Sequence, residues 1–372
     1  LNYILHMRYI LTISLIMSLI LATIISSCSE KKIDNIGVVT LDENVLTNSI
    51  LLKEDSVWYP ADSIYASKFY VYADSILIME NKQAAGNFIN IYNIRNQQLI
   101  AKLLPFGEGP EELLYAQIQY DGSVVRVVDY IKRTLYNINI EKLLNDKNYK
   151  PESLQLSQNY IITSSPVSYG DSIIYVNPFH YVNLQANIDQ QPPRLIASTR
   201  EKIEPKMSMD FDYMTVNVGQ GYLGANKFLG SIFFASNEIS TIEFYSPNLR
   251  LIKKIVGPIS LPEAKLSISE VDGKHDVCYK GMLQPEAYRG FTSSSDLIFF
   301  LYTGEMVPID KQKDFKSYIL CFDWKGNFQK SYTPSSRIYA LSISATSGTF
   351  YATIMNEEGN PKLVKLTQPE DN

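Results

Sequence analysis

The chain has 372 residues, a formal net charge of −5 from 34 Lys and Arg against 39 Asp and Glu, and only three His and three Cys. With no basic stripe to displace counterions from phosphates, nucleic acid is excluded as a partner. His180 and His275 lie far apart in sequence, so a zinc site of the usual histidine and cysteine kind is poorly supported.

The first element is a secretory signal: from Met7 to Cys28 the chain runs MRYILTISLIMSLILATIISSC, one arginine followed by an uncharged apolar stretch and small residues. Leu1 to His6 precede this methionine and read as an over-extended gene start. Ile24-Ile25-Ser26-Ser27-Cys28 resembles a bacterial lipobox, which would make Cys28 the lipidated amino terminus; an ordinary signal peptide with an incidental cysteine is the alternative. Removal of 1–27 takes Arg8 away and leaves a charge of −6. Each buried methylene of the acyl chains would contribute about 0.8 kcal/mol, enough together for stable anchoring. Residues 28–43 are polar and read as a lipidated tether. Of the remaining cysteines, Cys278 and Cys321 either pair in an oxidising envelope or stand as isolated buried thiols.

From about Leu46 onward, apolar residues alternate or run in short blocks rich in Ile, Val, Tyr and Phe between Asp, Gly, Asn and Ser, the pattern of strands and turns. One motif recurs: a turn leading into a strongly apolar strand, as in ADSILIMEN near 75, DGSVVRVVD near 123, GDSIIYVNP near 172, LGSIFFASN near 231, SSDLIFFLY near 296 and SGTFYATIM near 349. Outer hairpins follow, with Arg-Asn, Pro-Asn and Lys-Gly-Asn at their turns. Four strands repeating at this period predict an all-β chain, a six-bladed β-propeller over 44–368. A seventh blade around 183–215 is the alternative count. The last unit shows three strands, and NSILLKEDSVWY at the amino end is expected to supply its fourth, closing the ring so that no sheet edge stays open.

The segment FGEGPEELL (106–114) tests a phosphate-binding reading and fails it. Neither a Lys and Ser or Thr after the last glycine nor three spaced glycines before a helix is present, and three carboxylates would repel a phosphate. It reads instead as the crossing between two blades, with Gly107 and Gly109 allowing unusual or close backbone and Pro110 fixing φ. With the lipobox and the six units, this Gly-x-Gly-Pro loop resembles the TolB-like six-bladed propeller lipoproteins of Bacteroidetes. Glu111 stands where that family usually has a third glycine, and Leu113 or Leu114 replaces the aromatic. The resemblance implies a fold more than an activity.

Strand starts place a tyrosine per blade: Tyr65, Tyr115, Tyr160, Tyr222, Tyr288 and Tyr339. Tyrosine pairs an apolar body with a polar tip, which suits peptide or glycan recognition, but packing between blades also consumes aromatics. The binding set expected at the channel mouth is Glu111, Glu112, Tyr115, Tyr222, Tyr288, Arg289 and His180. Loops 128–134, 177–183 and 302–317 are expected on the same face, and Arg337, like Arg289, either pairs with an acid or clamps a carboxylate. No nucleophile elbow or catalytic triad is legible. The first functional reading is therefore a non-enzymatic envelope lipoprotein on the periplasmic side of the outer membrane, whose face binds a peptide, glycan or partner protein. The alternative is a calcium-dependent hydrolase or lyase, with Glu111, Glu112, Asp296, Asn226 and Asn237 as dispersed candidate ligands.

Overall fold

The computed structural model describes residues 37–60, 68–81, 86–121, 124–155, 167–169, 172–177, 183–188, 194–198, 221–261, 266–271, 274–279, 283–308 and 315–369. In chain order the elements begin with β1 (Gly37–Thr40), helix α1 (Asn44–Thr47) and β2 (Ile50–Ser56). Sheet I follows as β3 (Phe69–Tyr72), β4 (Ile76–Glu80), β5 (Asn87–Asn93) and β6 (Gln98–Pro105). Sheet II is β7 (Ala116–Asp121), β8 (Val124–Asp129), β9 (Thr134–Asn139) and, after helix α2 (Ile140–Asn145), β10 (Glu152–Gln155). Sheet III is β11 (Val167–Tyr169), β12 (Ser172–Asn177), β13 (Asn183–Ile188) and β14 (Arg194–Ser198). Sheet IV is β15 (Gly221–Asn226), β16 (Ser231–Ser236), β17 (Thr241–Tyr245) and β18 (Leu251–Val256). A hairpin of β19 (Leu266–Val271) and β20 (Lys274–Tyr279) precedes sheet V, which is β21 (Leu283–Ser293), β22 (Leu297–Pro308), β23 (Tyr318–Asp323) and β24 (Phe328–Pro334). Sheet VI is β25 (Ala340–Ile343), β26 (Phe350–Met355) and β27 (Pro361–Thr367).

Within each sheet the strands run as an antiparallel meander in sequence order, so every strand hydrogen-bonds to the one before it. The second strands β4, β8, β12, β16, β22 and β26 coincide with the six apolar motifs of the sequence. Their composition explains their place: β4 and β16 are buried along their whole length, which needs an apolar run rather than an alternating one. Last strands are more exposed, as in β6 and β10. The turns are made as their residues suggest. Ala73 and Asp74 both take positive φ in the three-residue connection of β3 to β4, and Asn93 Oδ1 accepts from the backbone N–H of Arg95 and Asn96 in the next hairpin.

Several neighbouring sheets pack face against face. Ile78 and Ile91 meet Val125 and Ile138 between sheets I and II, Phe233 and Phe244 meet Phe300 and Phe322 between IV and V, and Leu301 and Cys321 meet Ala352 and Val364 between V and VI. Val71, Leu77 and Met79 of sheet I pack on Ala340, Tyr351 and Leu363 of sheet VI. First strands neighbour one another as well, with Val71 N donating to Ser342 Oγ (3.1 Å) from β3 to β25 and Ile343 N donating to Thr292 Oγ1 (3.0 Å) from β25 to β21. The architecture is all-β and propeller-like.

The amino-terminal segment departs from the expected tether and single closing strand. β1 lies inside the segment 28–43 and adds a fifth strand to the edge of β18, continued by Leu41 N donating to Val256 O at 2.8 Å. Leu41 and Leu46 are buried in the core between sheets IV and V, and Ser331 donates to the Val45 carbonyl. β2 then pairs twice: Ile50–Leu52 run parallel to Tyr332–Pro334 of β24, and Lys53–Ser56 run antiparallel to Val364–Thr367 of β27. The pairing with the last unit is present, and the additional pairing with β24 makes sheets V and VI one continuous eight-stranded sheet. Glu54 fixes the crossover by accepting from Ser336 N (2.6 Å) and Ser336 Oγ (2.9 Å). Beyond it Trp58 sets its ring edge against Tyr92 of sheet I, centroids 5.6 Å apart. Residues 38–58 thus form a belt across four sheets. The long 302–317 segment is also more regular than expected, because 302–308 continue β22 and pair with the start of β21.

Candidate functional site

The glycine-rich crossing between sheets I and II is built from its own residues. Leu113 N donates to Pro105 O and Gly107 N to Leu113 O, closing the loop. Inside it the Glu112 carboxylate accepts from Gly109 N at 2.7 Å, and a Cβ on Gly107 or Gly109 would run into that carboxylate. Lys132 inserts its ammonium from the β8–β9 turn and donates to the carbonyls of Gly107 (3.0 Å), Gly109 (2.6 Å) and Glu112 (2.6 Å). Asp129, fully buried, holds that turn by accepting from Leu114, Ile131 and Lys132 N–H groups. The crossing is therefore a structural joint, and Glu112 is one of its internal fasteners.

The other expected binding residues separate into distinct places. Glu111 is exposed and pairs loosely with Lys150 at 3.5 Å. Tyr115 is exposed beside Tyr130, their centroids 5.9 Å apart. Tyr288 is wholly buried between sheets IV and V, its ring against Phe300 and Tyr302 and its hydroxyl donating to Gly257 O at 2.9 Å. Its expected place at the channel mouth is corrected by this packing, and the cause is local. The register of β21 against β22 shifts on either side of Tyr288, and such bulges re-aim side chains. His180, Tyr65, Tyr160 and Cys28 lie outside the described residues. Tyr339 is half-buried with the Arg337 guanidinium over its ring at 4.9 Å.

Tyr222 and Arg289 do come together. Tyr222, on β15, faces Ala235 of β16, and the chain two residues on holds Asn237, whose carbonyl accepts from Ala287 N at 2.6 Å. Next to Ala287, Glu286 forms an ion pair with Arg289 at 3.4 Å, both side chains about one-fifth exposed (19% and 20%). From sheet II, Gln119 donates through Nε2 to Leu223 O at 3.3 Å, bringing β7 to the same strand. Burial pushes the Tyr222 hydroxyl up to about 12, with Arg289 pulling it down and Glu286 pushing it up. Tyr70, stacked on Tyr120 with centroids 4.8 Å apart, is raised by burial and by the neighbouring Glu80, Tyr120 and Tyr222. At neutral pH these hydroxyls are protonated donors and acceptors. They are not bases.

Glu286 and Gln119 were not legible as site residues. A carboxylate three positions before Arg289 was the available signal for the first. For the second it was a polar side chain in the otherwise buried strand of β7. The calcium reading finds no donor set here. Asn226 is a turn residue that donates to Ser295 O and accepts from Leu229 N, Asp296 is exposed, and Glu112 is bound within its loop. Among the described residues no three His, Cys, Asp or Glu side chains are grouped to hold a metal ion. Cys321 is a free thiol, buried in the core of sheets V and VI, and burial pushes it up to about 11.

No family model matches the sequence, and no curated protein matches it either. Solved structures do resemble it. A member of the DUF4221 family from Bacteroides vulgatus superposes with a TM-score of 0.52 at 9% identity, over 85% of this chain and 96% of that one. A candidate exported protein from Bacteroides fragilis gives 0.50 at 10% identity, over 90% of this chain and 100% of that one. The WD40 domain of Neurospora crassa Pan2 gives 0.45 at 11% identity, over 86% and 95%. The likeness is one of fold. It links the chain to Bacteroides structures, and nothing in it points to the TolB-like family in particular.

Proposed function

We propose that this chain is an exported envelope lipoprotein, anchored through Cys28, whose six sheets form a closed six-bladed ring acting as a binding module. The observation that carries the binding reading is the meeting of Tyr222, Asn237, Glu286 and Arg289 at one end of sheets IV and V, each half-buried and therefore both ordered and reachable. Partly desolvated groups of this kind, three of them on strands and Asn237 on the β16–β17 connection, are the usual makings of a recognition site. The packing of sheet VI on sheet I supports ring closure. The signal-like amino terminus and the likeness to a candidate exported protein support the location.

Two experiments test this. In the first, Tyr222→Ala and Arg289→Ala should leave the melting temperature within a few degrees of wild type while abolishing capture of ligands that wild type selects from peptide and glycan panels. Equal capture by wild type and both variants would remove the site from the account. In the second, Cys28→Ala should move the protein from the membrane to the soluble fraction or leave it unprocessed, and unchanged fractionation and mass would end the lipoprotein reading.

A further inference from the structure

Phe228 stands 98% exposed in the β15–β16 turn, with Leu229 more than half exposed beside it. The turn does not need either side chain. Asn226 Oδ1 accepts from Leu229 N at 3.1 Å, Gly230 N donates to Lys227 O at 3.3 Å, and Gly230 takes the positive φ. Single exposed apolar residues are ordinary, but a Phe-Leu pair at a hairpin tip, where polar residues serve the turn better, calls for something to cover it. Sheet IV fixes the surroundings of this pair, in the order β1-β18-β17-β16-β15. Because β15 to β18 form a meander, the β15–β16 and β17–β18 turns share one end. Just past β1, Leu41 N donates to Val256 O at the far end of β18, so β1 runs parallel to β18 and the chain enters sheet IV from the Phe228 end. Val38 of β1 and Ile252 of β18 lie toward that end and are exposed.

The reach of the anchor bears on the same end. Ten residues lead from Cys28 to Val38, at most about 36 Å of extended chain. The opposite ends of the six-residue strands lie about 20 Å further on, so a bilayer at this end is met with slack and one at the other end only by using more than half of that span. Charge points the same way. Turns of sheet V adjoin those of sheet IV here, with Asn226 Nδ2 donating to Ser295 O at 3.1 Å and Ser231 Oγ donating to Trp324 O. Across the four turns the exposed charged side chains are Lys227, Arg250 and Lys325 against Asp296, a cationic end on a chain whose formal net charge is −5. We infer that this end of sheets IV and V rests on the bilayer that holds the anchor, with Phe228 and Leu229 among the headgroups and the three cations on anionic lipid. This rests on the lipoprotein reading above and adds the orientation of the anchored molecule. Tyr222, at the start of β15, is then at the end turned away from the membrane.

The test holds residues 28–372 on vesicles through a histidine tag in place of Cys28 and a nickel-chelating lipid, so that the contact is read whether or not cells acylate Cys28. Phe228→Trp gives this end an indole. Tyr115→Trp, at an exposed position before β7 and so at the opposite end of its sheet, gives the comparison, and wild type with Trp58 and Trp324 sets the background. Brominated phosphatidylcholine should quench the Phe228→Trp emission beyond background and shift it to the blue, more strongly with phosphatidylglycerol in the vesicles, and should leave Tyr115→Trp at background. Lys227→Glu with Arg250→Glu should cancel the phosphatidylglycerol effect without lowering the melting temperature. Phe228→Trp emission at background on vesicle-bound protein, or equal quenching at both positions, would overturn the inference. So would a blue shift that grows with protein concentration in the absence of lipid, the mark of a second copy seated on this patch. Native protein without acyl mass, alongside a Phe228→Trp signal that holds, would end the anchor reading and leave the membrane contact standing.

Discussion

Lys132, Glu112 and Glu111 sit within a few residues or one contact of the same loop and have different weights. Lys132 serves three backbone carbonyls, those of Gly107, Gly109 and Glu112, so Lys132→Met should cost about 2 kcal/mol after allowance for its partial exposure and lower the melting temperature by a few degrees. Glu111 holds an exposed pair with Lys150, and Glu111→Ala should change stability by less than about 0.5 kcal/mol, read in the same melts. A second residue-scale expectation concerns alkaline pH. Burial raises Tyr222 and Tyr351 to about 12 each, and it also raises Tyr245 and Tyr288 well above the ordinary phenol value. A raised folded-state value means the fold holds the neutral phenol more tightly than the unfolded chain does. That stability is complete below pH 10 and is lost as pH climbs from 10 through 12. Thermal melts at pH 9 and pH 11.5 should therefore differ sharply, and equal melting would mean these phenols are not buried as described. The site itself was half legible from residues: Tyr222 and Arg289 announced themselves as strand-start aromatic and cation, but a strand turns alternate side chains to opposite faces. Nothing in the sequence marked the bulges that turn Tyr288 inward.

At the scale of elements, the belt of residues 38–58 decides how the sheets hold together. Its anchors are apolar, Leu41 and Leu46 in the core and Val57 and Trp58 packed on sheets I and VI. Leu46→Ala should cost about 2–5 kcal/mol, the range for truncating a buried leucine. Deletion of 44–58 should do more, since it uncovers β24 and β27 together and leaves two strand edges open to pairing with other chains. Aggregation or a large fall in melting temperature is expected in light scattering and thermal melts; a monomer that melts like wild type would contradict the role given to the belt. The second strands were readable because full burial demands long apolar runs. The pairing of 53–56 with β27 was readable because the last unit lacked a strand. β1 was not, since Gly37–Thr40 is exposed at every residue and only its backbone partner β18 makes it a strand. Nor was the parallel pairing to β24, because one short stretch of alternating residues cannot declare that it serves two neighbours.

For the whole molecule, the central claim is that the first and last sheets meet and the belt closes the ring over them. The contact of Val71, Leu77 and Met79 with Ala340, Tyr351 and Leu363, and the register that sets Asp55 opposite Lys365, are its two supports. On the proposed closure, the Tyr222 and Arg289 cluster, which draws on β7, β15 and β21, would be pulled apart in an open stack of sheets. The register offers the most direct measurement. Opposed residues of an antiparallel pair lie within the span of a disulfide, so Asp55→Cys with Lys365→Cys, mildly oxidised and mapped by peptide mass, should yield an intramolecular link between β2 and β27 in a monomer. Free thiols at both positions, or links formed only between molecules, would contradict the closed ring.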